Sequence, residues 1–202
     1  MTLLILGSLI LGMLSGYFLV PQDLPFLSQI TDGALALLLF TVGYELASGE
    51  DLRQKIKDLP RISLAVPFLV IFGSLLGSFV GSLFLDLQLG EGVLVGAGLG
   101  WYSLSAVLIA QSYDVALGAL ALLTNVFREV LAILIIPIIA HKLGYLPAIA
   151  PGGATTMDVT LPIIAQNTDS QTTLVAFYSG TVLTALIPFL VPFIIKLLQL
   201  FG

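Results

Sequence analysis

Apolar residues fall in blocks along this chain that are too long and too bare of charge for a water-soluble fold. Residues 1–22, 62–85, 92–113, 115–127, 143–157 and 170–195 contain no Asp, Glu, Lys or Arg. Crossing a hydrocarbon core about 30 Å thick takes about 20 apolar residues in a helix, and several blocks reach that length. Backbone groups in lipid must be satisfied internally, and the strict alternation of a barrel is absent, so the elements are helices. The pattern predicts an all-α polytopic membrane protein of about five to seven segments. Full helices are expected near 3–20, 26–47, 62–85, 115–140 and 172–197.

Composition agrees: 58% of the 202 residues are hydrophobic and 9% charged, where a globular domain has about 25% charged residues. The first block lacks a positively charged start and a cleavage pattern, and carries Gly7, Gly12 and Gly16. It reads as a retained helix rather than a signal peptide. There is no cysteine and one histidine, His141, which argues against thiolate chemistry and most transition-metal sites; no metal or cofactor is expected. The formal charge of −5 says nothing about partners in a chain that mostly meets the lipid bilayer, and nothing indicates nucleic acid.

Four of the seven basic residues, Arg53, Lys55, Lys57 and Arg61, lie in one loop at 48–61. Basic loops stay cytoplasmic. The N-terminus is then expected inside, the turn with Asp86 and Glu91 outside, and the protein multi-pass in the cytoplasmic (inner) membrane.

The second half differs in texture. Gly96–Ser105 and Pro151–Pro162 are rich in glycine and hydroxyls, and each precedes a long apolar helix. An offset of 55 residues aligns the two units. Ile109, Ala110 and Gln111 fall on Ile164, Ala165 and Gln166, Asp114 on Asp169, Gly98 on Gly153, and Pro137 on Pro192. A single membrane domain over 1–202 is expected, with three N-terminal helices in 1–90 and repeat units at 91–145 and 146–202. Repeats that pair an interrupted segment with a full helix are a transporter design with the site near the midplane. Close packing would explain the glycines, but not Thr155, Thr156, Asp158 and Thr160 crowded before Pro162.

An ionisable side chain within a span costs about 2.5–3.5 kcal/mol on insertion scales and is a functional candidate by default. Arg128 and Glu129 lie mid-helix, Asp158 lies in the second Gly-rich stretch, and Glu45 near the end of the second helix. Adjacent helical residues diverge by about 100°, so Arg128 and Glu129 are poor partners for each other, whereas Asn125 shares a face with Glu129. In one simple arrangement Arg128 neutralises one acid and leaves another free for a cation or proton. The 55-residue offset sets Ser103 opposite Asp158 and Ser105 opposite Thr160, so these hydroxyls would line the other wall. Trp101 and Tyr102 could pack against an alkyl chain or cation there, or serve as interfacial aromatics.

Three motifs carry a family likeness: Gly98-Leu-Gly-Trp-Tyr-Ser-Leu-Ser105, Asn125-Val-Phe-Arg-Glu-Val-Leu-Ala132 and Gly153-Ala-Thr-Thr-Met-Asp-Val-Thr-Leu-Pro162. With a less specific match at Leu37–Leu46, the chain resembles the bacterial and archaeal lysine exporters called LysO over roughly residues 30–195. The resemblance implies secondary active export of L-lysine and its analogues, in exchange for protons, through acids matching Glu129 and Asp158. A carboxylate in a low dielectric can exchange protons near neutrality, and competition of proton and cation for one acid yields antiport. Longer members carry an additional N-terminal portion. Its absence from this sequence implies a small membrane partner subunit or self-assembly. Other readings are export of arginine or ornithine, or a non-transporting subunit. An intramembrane enzyme lacks an obvious chemical carrier, and His141 with Lys142 marks a helix terminus.

Two topologies fit the pattern beyond the third helix. If both Gly-rich segments cross, the chain has seven spans and parallel repeats; if both are re-entrant, it has five and inverted repeats. If only the second segment is re-entrant, the C-terminus returns inside.

Overall fold

The structure, a computed structural model, describes residues 61–85 and 87–201, together with positions 11, 14, 15, 18, 29, 33, 37, 40, 41 and 44. Glu45, Asp86, the loop at 48–60 and most of the first two predicted helices lie outside the described residues. The chain divides into two units, Met1–Gly49 and Glu50–Gly202. In the first, the described positions are helical, and the rings of Phe40 and Tyr44 stack with centroids 6.5 Å apart.

The second unit is all-helical. A 3-10 turn at Arg61–Ala65 leads into α1, Val66–Ser82, with Pro67 in its first turn, where a missing N–H costs nothing. The expected end at 85 falls three residues later than the observed one, because Leu83, Phe84 and Leu85 close i→i+3 turns instead. α2 spans Leu89–Gly96, α3 Tyr102–Ser112, α4 Val115–Lys142, α5 Leu161–Asn167 and α6 Ser170–Phe201. Short 3-10 turns at Leu146–Ile149 and Gly153–Met157 precede α5.

Three of these stretches are long and apolar enough to span a bilayer: Ile62–Ser82, Val115–Lys142 and Ser170–Leu200, with mean hydropathies of 2.1, 2.0 and 2.2. At ~1.5 Å per residue, α4 alone exceeds the ~30 Å of a hydrocarbon core. Both α4 and α6 begin behind an aspartate. Asp114 Oδ1 accepts from Leu117 N at 2.8 Å, and Asp169 Oδ1 accepts from Thr172 N at 2.7 Å. These side chains satisfy N–H groups that a helix start leaves without partners.

Burial follows a membrane pattern. Large apolar groups such as Phe68, Phe72, Phe127, Phe189 and Phe193 are exposed, whereas Ser105, Asn125, Thr156, Thr160 and Ser179 are buried. Lipid is as apolar as leucine, so helices associate through small residues and hydrogen bonds. On α1, Ser78 and Ser82 tuck their hydroxyls back onto Ser74 O and Ser78 O. That clears a face on which Gly92 and Gly96 of α2 sit without room for a side chain.

α2 and α3 meet at a sharp reversal, where Leu99 (φ 50°) and Gly100 (φ 102°) adopt left-handed conformations. The outer ends of this stretch lie together. Tyr113 OH donates to Glu91 Oε1 at 3.4 Å, Gln199 Nε2 of α6 donates to Ser112 O at 3.0 Å, and Gly90 lies against Leu198. Pro147 of the later stretch lies instead beside Ile139 and Leu143, at the other end of α4.

Candidate functional site

The reversal at 97–101 opens the backbone ladder, and a buried polar group without a partner costs about 1–3 kcal/mol. Asn125, one-third of the way along α4, supplies the partners. Its Oδ1 accepts from Gly100 N at 2.8 Å, and its Nδ2 donates to Val95 O at 3.3 Å and Ala121 O at 2.8 Å. Ser105 Oγ adds a bond to Trp101 O at 2.8 Å.

Hydroxyls hold the reversal at 150–160. Thr155 Oγ1 donates to Gly152 O at 2.9 Å and lies 3.2 Å from Thr160 Oγ1. Thr156 Oγ1 stands 2.8 Å from both Gly153 O and Ala176 O, serving its own turn and α6. Gly180 of α6 permits this approach, because a Cβ there would overlap Met157 N and Thr156 Oγ1. The two reversals touch: Ala154 N donates to Leu99 O at 2.8 Å. Gly153, at φ 61°, fits between them only because a Cβ would strike Leu99 O and the Arg128 guanidinium.

Arg128 extends from α4 toward the second reversal. Nε donates to Pro151 O at 3.0 Å, Nη2 to Ala150 O at 3.3 Å and Nη1 to Ser74 Oγ of α1 at 2.7 Å. Ser74 Oγ in turn donates to Gly96 O at 3.2 Å. Among the described residues Arg128 forms no ion pair, so the arrangement in which it neutralises an acid is not the one found there. A cavity of about 350 Å³ opens beside it, lined by Val70, Gly73, Ser74, Ile139 and Pro147 among others.

The acids lie elsewhere. Glu129, next along α4, is half-buried and interacts electrostatically with Asp158, which is half-buried between Met157 and Val159. Asp158 Oδ1 accepts from Val159 N at 2.6 Å. Tyr102, the first residue of α3, interacts electrostatically with both acids. Three elements thus bring one phenol and two carboxylates into one neighbourhood, with the nearby guanidinium turned to carbonyl groups. Such a group can hold a cation or protons. Among the described residues no three of His, Asp and Glu gather as a metal site.

The predicted site residues therefore separate. Tyr102, Glu129 and Asp158 come together. Asn125, Thr155, Thr156, Thr160 and Ser105 are buried with their polar atoms engaged in holding the reversals. Trp101 is half-buried at the first reversal, and Ser103 is exposed. Glu45 lies outside the described residues. Sequence reasoning missed Ser74; its only signal was the Ser74, Ser78, Ser82 series at helical spacing.

A sequence model described as "Lysine exporter LysO" matches residues 6–195. The chain belongs to the LysO lysine exporter family. It is 32% identical over 182 residues to "Lysine exporter LysO" of Escherichia coli (strain K12), an alignment covering 88% of this chain and 60% of that protein. It is 30% identical over 190 residues to a "Putative lysine exporter" of Haemophilus influenzae (strain ATCC 51907 / DSM 11121 / KW20 / Rd), covering 94% of this chain and 95% of the relative. The chain thus spans three-fifths of the length of the Escherichia coli relative and nearly all of the Haemophilus influenzae one. No solved structure matches it. Membership of an exporter family, with three long apolar helices, makes this a membrane protein.

Proposed function

We propose that the chain exports L-lysine from the cytoplasm in exchange for protons, with Glu129 and Asp158 as the groups that bind the cationic substrate and the protons in turn. The observation that carries this reading is that two carboxylates and Tyr102 lie within electrostatic range of one another while the neighbouring Arg128 engages backbone carbonyls and a serine. An acid pair in a low-dielectric setting resists standing doubly charged. It is relieved either by protons or by the ammonium groups of a cationic amino acid. Mutually exclusive occupancy couples the two fluxes, and the names of both relatives support lysine as the cargo.

The finer architecture belongs to the same proposal. Residues 89–112 and 146–167 are read as re-entrant segments that enter from opposite sides and meet near the middle. Support comes from the shared end of the first segment at Glu91 and Tyr113, from Pro147 at the opposite end of α4, and from the Leu99–Ala154 bond between the reversals. The 55-residue repeat is supported by the aspartates that begin α4 and α6, and by burial of Ala121 with Ala176 and of Ile136 with Val191. Inverted repeats of this kind allow a fixed central site to be reached from either side. With the basic loop cytoplasmic, the first segment enters from outside and the second from inside; a small partner subunit or a second copy is the expected company.

Lysine efflux from preloaded proteoliposomes tests the site. Wild-type chain is expected to export lysine in response to a proton gradient, and Asp158→Asn and Glu129→Gln are each expected to abolish it. Efflux unchanged in both variants would remove these acids from the mechanism. Equal export of arginine or ornithine would widen the substrate.

A further inference from the structure

We propose that Arg128 is the positioning residue of this site: its guanidinium fork holds residues 150–153 against Ser74 of α1 and so sets where Asp158 stands relative to Glu129. The inference rests on the acid-pair reading above and adds a role for the cation beside it.

The geometry is that of a clamp. A guanidinium has five N–H donors in a rigid plane, and charge-assisted bonds are about twice as strong as neutral ones. Here two edges of that plane take adjacent carbonyls, Ala150 O and Pro151 O, and a third donor takes Ser74 Oγ. Those carbonyls lie immediately before Gly152 and Gly153, where the chain turns through a left-handed residue and cannot use its own ladder. Proline at 151 leaves one N–H fewer for any competing local turn. From Gly153 a 3-10 turn runs directly to Met157, so the clamp sits one short turn from Asp158.

The same fork joins elements remote in sequence. Ser74 is 54 residues from Arg128 and passes the contact on to Gly96 O, at the end of α2. Arg128 therefore ties α1, the approach to the first reversal and the second reversal to α4, which also carries Glu129. One helix thus holds one acid directly and the other through its neighbouring arginine. A lysine would keep the positive charge but not the planar fork, and the two are not interchangeable at such a site.

Arg128→Lys, Arg128→Gln and Ser74→Ala should be compared with wild type in lysine efflux, normalised to inserted protein, with maximal rate and apparent KM measured separately. A residue that only supports the fold lowers the number of working carriers and leaves KM unchanged. A positioning residue raises KM, because misplaced acids bind lysine less well. Arg128→Lys and Arg128→Gln are each expected to raise KM by about tenfold, corresponding to ~1.4 kcal/mol. Ser74→Ala, losing one of three acceptors, should raise it by about threefold. Wild-type KM in Arg128→Lys alongside a raised KM in Arg128→Gln would show that charge suffices and overturn the clamp. A fall in maximal rate alone in all three would also overturn it. Should the Arg128 variants fail to insert, Ser74→Ala decides, and an unchanged KM there sinks the proposal. Normal transport by Asp158→Asn and Glu129→Gln would instead mark failure of the underlying site.

Discussion

The stretches 89–112 and 146–167 solve one problem in two ways. Each reverses direction through left-handed residues deep in the protein, and each must find partners for the backbone groups it opens. The first is served by a neutral side chain, Asn125, which occupies its amide at both ends. The second is served by threonine hydroxyls and by a cation, Arg128, and it has Asp158 at its centre where the first has exposed Ser103. A neutral amide fixes a turn and adds no charge. A cation on carbonyls fixes a turn while biasing the electrostatics of everything beside it. In the proposed mechanism the second reversal therefore carries the reactive acid, and the first serves as its counterpart and anchor.

This contrast can be broken most severely at Gly153. An alanine there must hold a left-handed φ, costing about 1–2 kcal/mol, and also push Leu99 O or Arg128 aside. Gly153→Ala is expected to reduce lysine efflux to background, and retained efflux would show that the two reversals need not touch. Next in size is Asn125→Ala, which strands Gly100 N at about 1–3 kcal/mol for a buried group and leaves Val95 O with Gly98 N alone. The melting midpoint of the purified protein should fall, while lysine KM in the surviving carriers stays within about twofold of wild type, well under 1 kcal/mol. A large KM change would make Asn125 a ligand and erase the distinction between the two stretches. Smallest are the caps: Asp114→Ala and Asp169→Ala should each cost about 1 kcal/mol of stability, to similar extents, with lysine KM unaltered. Sharply unequal losses in thermal stability would argue against equivalent units.

The long helices were legible because lipid imposes one rule on many residues at once. Uncharged runs placed helices near 62–85, 115–140 and 172–197, and the structure has Val66–Ser82, Val115–Lys142 and Ser170–Phe201. The earlier start of the last, by two residues, reflects Asp169, whose carboxylate begins the helix ahead of the apolar run. Glu129 and Asp158 stood out because charge in a span is costly, but their meeting with Tyr102 depends on how three elements pack. The partners of Arg128 were not legible. They are backbone oxygens 22 and 23 residues away and a serine 54 residues away, and a carbonyl has no letter in a sequence. Reading side chains alone favoured a carboxylate for Arg128. The engagement of Thr155, Thr156 and Thr160 with their own turn was hidden for the same reason.

The central claim is that lysine and protons compete for Glu129 and Asp158, and proton release on binding tests it most directly. Lysine should be added to purified, weakly buffered protein near neutral pH while the solution pH is followed. The account predicts a saturable release of protons from wild type that is absent in Asp158→Asn and Glu129→Gln. Lysine binding by wild type with no accompanying proton release would contradict it.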